Sequence, residues 1–318
     1  MVKVQNLTKY YNGHCAIRDI SFDVEDGQVY GLLGPNGAGK STIMNIMTGY
    51  ISCTTGSVEI DGYDILKQPH QAKERIGYLP EIPPLYMDMT PREYLEFIGK
   101  LRSVEKNLRR EQIDSIMEQT SITEVRNRII KTLSKGYRQR IGLAGALVGS
   151  PKLIILDEPT VGLDPAQMIE VRNLISSLGR DHTVILSSHI LSEVQAVCDR
   201  VLIIAEGQLI AMGTPQELAD RMQSGKILRV TAKGNGEHIL AAIKKIAGLG
   251  AYELVEQEGE LTTFTVSLPG TRDLRPAVSE ALVYAGCPAV AMQTSSASLE
   301  EIFLQLVEND SQIMQAEG

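Results

Sequence analysis

The chain has 318 residues, 43% of them hydrophobic and 22% charged. That is ordinary globular usage, which excludes a wholly disordered or collagen-like chain and leaves enough apolar material for roughly two domains. The net charge of -8, the absence of Trp and the lack of any basic block argue against a nucleic-acid partner. No apolar run approaches the roughly 18 residues that a membrane helix needs, and the first residues carry no apolar signal segment. Cys15, Cys53, Cys198 and Cys287 stand far apart without metal or redox spacing and read as reduced thiols.

In chain order, Val2, Val4 and Leu7, then Ile17, Ile20, Phe22 and Val24, alternate with polar residues and predict antiparallel strands. Val29–Leu33 predicts a short buried strand that runs into the glycine-rich stretch Gly34–Lys40 and then a helix from Ser41 to about Thr48. Residues from about 84 to 132 are polar with helical spacing, and Thr90-Pro91-Arg92-Glu93 is a capping box with Pro at the first helical position. They predict a helical insertion in an α/β domain. Strands return at Leu153–Leu156 and Val184–Leu186, and Val201–Ile204 and Leu209–Met212 flank Glu206-Gly207 as a hairpin. Thr214-Pro215-Gln216-Glu217 opens a short helix ending near Gln223, and Ser224-Gly225 marks a boundary between domains at 1–223 and 224–318. The second has the order β-α-β-β-α-β, a ferredoxin-like α+β pattern, with a last helix expected at Leu299–Val307.

Three strand ends carry chemistry. Gly34-Pro35-Asn36-Gly37-Ala38-Gly39-Lys40-Ser41-Thr42 fits the P-loop spacing between a strand and a helix. Its glycines let backbone N–H groups face phosphate oxygens, Lys40 reaches the β/γ-phosphates, and the Ser41 hydroxyl can bind Mg²⁺. The helix N-terminus adds a favourable dipole for an anion. Leu153–Leu156 delivers Asp157 and Glu158 at its C-terminal end, where ligands bind in parallel sheets. Asp157 suits a Mg²⁺ shell, and Glu158 is placed to orient or deprotonate a water. Val184–Leu186 ends in Ser187-Ser188-His189 by the same logic. Each segment alone has a bland reading, a glycine turn, a solvated acidic turn or a structural histidine; together they form a constellation.

Residues 2 to about 220 resemble the ATP-binding subunit of an ABC (ATP-binding cassette) transporter, a P-loop NTPase fold with an antiparallel β subdomain and a helical insertion. Leu133-Ser134-Lys135-Gly136-Tyr137-Arg138-Gln139-Arg140 resembles the family signature, and Val161-Gly162-Leu163-Asp164 its D-loop. Tyr11, with Tyr10 as the competing choice, resembles the aromatic residue that stacks on adenine, and Glu81 falls where a glutamine usually stands. Glu81, Lys135 and Tyr137 depart from the common pattern in a way that resembles the branch driving ABC-2-type exporters. The resemblance implies ATP and Mg²⁺ as cofactors, with Ser41, Asp157 and Glu81 toward the metal and Glu158 and His189 as the catalytic pair. Ser134 and Gly136 would act on the nucleotide of a second ATP-binding subunit, identical or different, and Asp164 would belong to the nucleotide site through the D-loop.

It further implies integral membrane permease subunits and a cytoplasmic location on the inner face of the membrane. Ile82, Leu85, Tyr86, Met87 and Met89 either dock a permease helix or pack inside the insertion. The expected function is ATP hydrolysis that powers an exporter. Alternatives are a soluble non-transport ABC ATPase, which usually carries a long coiled coil or two cassettes, an importer ATPase, and a plain P-loop switch module.

Overall fold

The computed structural model describes residues 1–222, 226–244, 246, 249–250, 252–268 and 273–295. The chain divides into two compact units, Met1–Thr214 and Pro215–Gly318. The helix expected to close the first domain therefore falls in the second unit. The boundary expected at Ser224-Gly225 and the helix expected at Leu299–Val307 lie outside the described residues.

The first unit opens with β1 (Val2–Tyr11) and β2 (His14–Val24), an antiparallel pair whose alternating residues are buried. Next come β3 (Val29–Leu33), α1 (Lys40–Met47), β4 (Thr55–Ile60), β5 (Tyr63–Asp64), α2 (Pro69–Glu74) and β6 (Ile76–Leu79). Then follow α3 (Pro91–Leu101), α4 (Lys106–Gln119), α5 (Lys135–Leu147), β7 (Leu153–Leu156), α6 (Pro165–Leu178) and β8 (Thr183–Ser188). The unit closes with α7 (Leu191–Val197), β9 (Arg200–Ala205) and β10 (Gln208–Gly213). The first sheet has the order β2-β1-β4-β5 and is antiparallel. The second has the order β10-β9-β3-β8-β7-β6, all parallel except β10.

β3, β7 and β8 are buried along their whole length, which is why they carry unbroken apolar runs such as Leu153–Leu156 and Val184–Leu186 rather than alternations. The main core lies between the two sheets around α1, with Leu7, Ile17, Ile43, Met44, Ile60 and Ile155 among its members. The expected hairpin between β9 and β10 is present, and Glu206 and Gly207 take the positive φ values, 47° and 78°, that such a two-residue turn needs. The capping box forms as expected. Thr90 Oγ1 accepts the Glu93 N–H at 3.3 Å, and Glu93 Oε2 accepts the Thr90 N–H at 2.8 Å. β4, β5, α2 and β6 are elements that the hydrophobic pattern does not announce.

The second unit contains α8 (Pro215–Met222), β11 (Lys226–Lys233), α9 (Gly236–Ile243), β12 (Tyr252–Glu258), β13 (Leu261–Leu268), α10 (Arg275–Tyr284) and β14 (Ala289–Ser295). Its antiparallel sheet has the order β12-β13-β11-β14, the ferredoxin-like arrangement expected from the element order. Leu228, Val230, Phe264 and Val266 of the sheet and Ile239, Ile243, Val278 and Leu282 of α9 and α10 form its own core. Among the described residues no helix is long and apolar enough to cross a membrane.

Candidate active site

The loop between β3 and α1 carries the first part of the site. Gly39 takes φ 104°, a left-handed conformation that a side chain would strain, and this directs the loop into the first turn of α1. A Cβ on Gly34 would lie 2.3 Å from the Ile204 carbonyl oxygen, so only glycine lets the loop pass β9 this closely. Lys40 is buried. Its Nζ donates to the carbonyls of Gly34 (2.8 Å) and Pro35 (3.2 Å) and lies 3.6 Å from Glu158 Oε1. A cleft of about 330 Å³ is lined by Asn36, Gly37, Gly39, Lys40, Ser41 and Thr42, together with Glu81, Glu158 and His189. Ala38, within the loop, is buried.

The parallel order β3-β8-β7 brings the three chemically loaded strand ends side by side. Glu158 follows β7 at φ 47°, a region that costs an L-residue with a side chain roughly 1 kcal/mol or more. Its N–H is held there by Ser187 Oγ at 2.8 Å, and the same hydroxyl donates to Asp157 Oδ1 at 2.7 Å. Glu158 Oε2 meets His189 Nδ1 at 2.9 Å, so the two expected catalytic side chains are in contact. Ser41 Oγ donates to Asp157 Oδ1 at 3.3 Å. Tyr78, on β6, donates its hydroxyl to Asn45 Oδ1; burial and then the Asp157 charge push its pKa up to about 12, so it stays a neutral donor.

Ser41 and Asp157 converge as hard oxygen donors, and Glu81 lines the same cleft. Among the described residues no group of three or more His, Cys, Asp or Glu could enclose a metal. A donor set this small fits Mg²⁺, which keeps waters and phosphate oxygens in its shell rather than filling it from protein.

Ser134, Gly136 and Asp164 lie elsewhere. They line a second cleft of about 590 Å³ with Tyr137, Arg140 and Gln167, and its lining shares no residue with that of the P-loop cleft. Ser134 caps α5, its Oγ accepting the Tyr137 N–H at 3.4 Å. Asp164 caps α6 by accepting the Gln167 N–H at 2.9 Å. The Tyr137 hydroxyl donates to Glu124, and Arg140 pairs with Glu170. Both expected departures from the signature therefore have local roles: Tyr137 ties α5 to Glu124, and Lys135 lays its ammonium beside Gly162.

Tyr11 is exposed at the end of β1, with the Lys9 ammonium over its ring at 5.2 Å. It is outside the lining of the P-loop cleft, whereas His14, its partner across the β1–β2 turn, is part of that lining, as is Ala16. Ile82, Tyr86 and Met87 are exposed beyond Glu81. Two residues of the site carry no motif. Ser187 bridges the Asp157 carboxylate and the Glu158 backbone N–H just beyond β7, and the only signal for it was a polar residue closing an apolar strand. Glu193 is buried behind the site and reads in sequence as an ordinary polar position of α7.

A P-loop, a histidine at the end of the adjacent parallel strand, a carboxylate pair one strand further on and a separate serine–glycine helix cap together define a nucleotide-hydrolysing cassette. A family model described as ABC transporter matches residues 17–161. The linearmycin resistance ATP-binding protein LnrL of Bacillus subtilis (strain 168) is 33% identical over 307 residues, covering 96% of this chain and 98% of that protein. The bacitracin transport ATP-binding protein BcrA of Bacillus licheniformis is 38% identical over 212 residues, covering 66% and 68%. The solved structure of an ATP binding subunit of an ABC transporter superposes with a TM-score of 0.64 at 26% identity, over 70% of this chain and 92% of that one. The chain belongs to the ABC transporter family, as one of its ATP-binding subunits, and is an ATPase.

Proposed function

We propose that the chain powers an ABC-2-type exporter as one of a pair of cassettes that ATP closes head to tail and hydrolysis reopens. The observation that carries this reading is the separation of the two clefts: within one chain, Ser134 and Gly136 do not line the cleft that holds Lys40. A second ATP-binding subunit, identical or different, would bring its signature helix N-terminus to the γ-phosphate, where free N–H groups favour an anion. Asp164 at the start of α6 would face the partner along the same surface.

In this reading the N–H groups of Gly34–Thr42 and the Lys40 ammonium bind the phosphates, the ammonium exchanging its carbonyl acceptors for phosphate oxygens. Glu158 accepts a proton from the attacking water, and His189 holds Glu158 and the γ-phosphate in register. Mg²⁺, held by Ser41 and Asp157 with Glu81 nearby, would neutralise charge on the β/γ-phosphates. Tyr11 is the base-stacking residue that the family pattern supplies.

Relatives named for bacitracin transport and linearmycin resistance support the exporter reading. Integral permease subunits then supply the pathway, and exposed Ile82, Tyr86 and Met87 offer them an apolar landing on the insertion side of Glu81. The chain would sit on the cytoplasmic face of the membrane. The domain division at 1–223 and 224–318, with a helical subdomain at about 84–132, assigns hydrolysis to the first part and an accessory role to the second.

Glu158→Gln tests the cycle. The amide keeps the shape of the carboxylate and loses its basicity, so turnover should fall by about 10²–10⁴-fold while ATP binding persists and traps a dimer visible by gel filtration. Turnover near wild type without an ATP-dependent dimer would overturn the assignment. A mild-detergent pull-down should bring an integral membrane protein with the chain; recovery of the chain alone from membranes that express its transporter would refute the exporter role.

A further inference from the structure

Glu193, in the first turn of α7, is 5% exposed, and no step above uses it. A carboxylate is costly to bury unless donors surround it. Here there are three. Thr160 Oγ1 donates to Oε2 at 2.7 Å, Ser188 Oγ donates to the same oxygen at 3.0 Å, and the Arg172 guanidinium of α6 donates to Oε1 at 3.4 Å.

The identity of those donors matters more than their number. Thr160 lies two residues beyond Glu158, and Ser188 directly precedes His189. One carboxylate oxygen thus joins the loop after β7 to the end of β8, the same two segments whose Glu158 and His189 meet at 2.9 Å. Hydrogen bonds from hydroxyls to a buried carboxylate are short and strong, so they fix the spacing of the two segments. Arg172 adds α6, the helix that Asp164 caps.

We propose that Glu193 is a positioning residue for ATP hydrolysis, holding Thr160 and Ser188 on one oxygen and thereby setting the Glu158–His189 geometry. The proposal rests on the reading of Glu158 and His189 as the hydrolytic pair. Its prediction is a loss confined to turnover. Misplacing reacting groups by about 1 Å costs about 10²-fold, so Glu193→Ala should lower kcat by about that factor. The Lys40 and P-loop contacts do not involve Glu193, so KM for ATP should change by less than about threefold. Glu193→Gln keeps an acceptor but not the charge, and should fall between wild type and Glu193→Ala.

The decisive pair is on the donor side. Thr160→Val removes one hydroxyl at nearly constant volume and should lower kcat; Thr160→Ser restores the hydroxyl and should recover most of it. All variants are measured as full chains with Mg-ATP, alongside a fluorescent ATP analogue for binding. If Glu193→Ala folds and its kcat stays within about threefold of wild type, the proposal is wrong. It is equally wrong if kcat and nucleotide affinity fall together, since that marks general structural support. If Glu193→Ala does not fold, equal activities of Thr160→Val and Thr160→Ser overturn the proposal and recovery by serine supports it. Glu158→Gln run in parallel separates the two levels: a Glu158→Gln variant that still turns over removes the hydrolytic reading itself, whereas an inactive one beside a fully active Glu193→Ala removes only the role of Glu193.

Discussion

Ser187→Ala removes one oxygen that serves two groups. Ser187 is completely buried; its hydroxyl donates to Asp157 Oδ1 at 2.7 Å and accepts the Glu158 N–H at 2.8 Å. Alanine leaves both without that partner, and water cannot readily reach either, because Asp157 and Glu158 are themselves buried. An unsatisfied buried donor or acceptor costs about 1–3 kcal/mol. The Glu158 amide carries a full share. Asp157 Oδ1 keeps the longer bond from Ser41 at 3.3 Å, so its share is smaller. The sum is about 2–4 kcal/mol, which for a unit of this size lowers the melting temperature by on the order of 10 °C.

The control is Ser177→Ala, where an exposed hydroxyl on α6 donates to the Leu174 carbonyl and its loss should cost less than about 0.5 kcal/mol. The chain has no Trp, so unfolding is best followed by calorimetry and far-UV circular dichroism. Equal melting temperatures for Ser187→Ala and Ser177→Ala would refute the reasoning. The same substitution releases Glu158 from its hold at φ 47° and should also lower kcat.

Three further expectations use the same geometry. Lys40→Ala should abolish ATP binding by the single chain through loss of the charge on the phosphates, whereas Ser134→Arg should leave that binding intact and block ATP-dependent dimer formation; equal loss of nucleotide binding in both would remove the partner role of the second cleft. Glu81→Gln should weaken the Mg²⁺ dependence of hydrolysis while Ser41 and Asp157 preserve residual turnover, because a carboxylate binds a hard cation more strongly than an amide does; superimposable Mg²⁺ titrations would take Glu81 away from the metal. A chain ending at Gln223 should still bind ATP, since the second unit has a core of its own, and failure to fold would show that the boundary is misplaced.

Much of the molecule is legible from neighbours in sequence. The P-loop, the apolar runs of β3, β7 and β8, the Thr90–Glu93 capping box and the Glu206-Gly207 turn are each decided within about ten residues, by periodicity, capping and the φ values that glycine allows. The same local signals yield the β-α-β-β-α-β order of the second unit. β6 is not legible in this way: Ile76–Leu79 is four residues long, and it becomes a strand through its parallel register on β7.

The site divides along the same line. Which residue types could do phosphate, carboxylate and imidazole chemistry was written in the sequence. Tertiary structure decided which of them meet: the strand order β3-β8-β7 sets Ser41 on Asp157 and His189 on Glu158, and puts Ser134 and Gly136 in a separate cleft. It also set His14, not Tyr11, in the lining of the P-loop cleft. Ser187 and Glu193 emerged only here, because their partners lie about thirty residues away and a polar side chain reveals nothing about a distant donor. Local propensity chooses the elements; burial of their apolar faces against one another chooses the pairing, and that global choice brings the polar ends of three strands together.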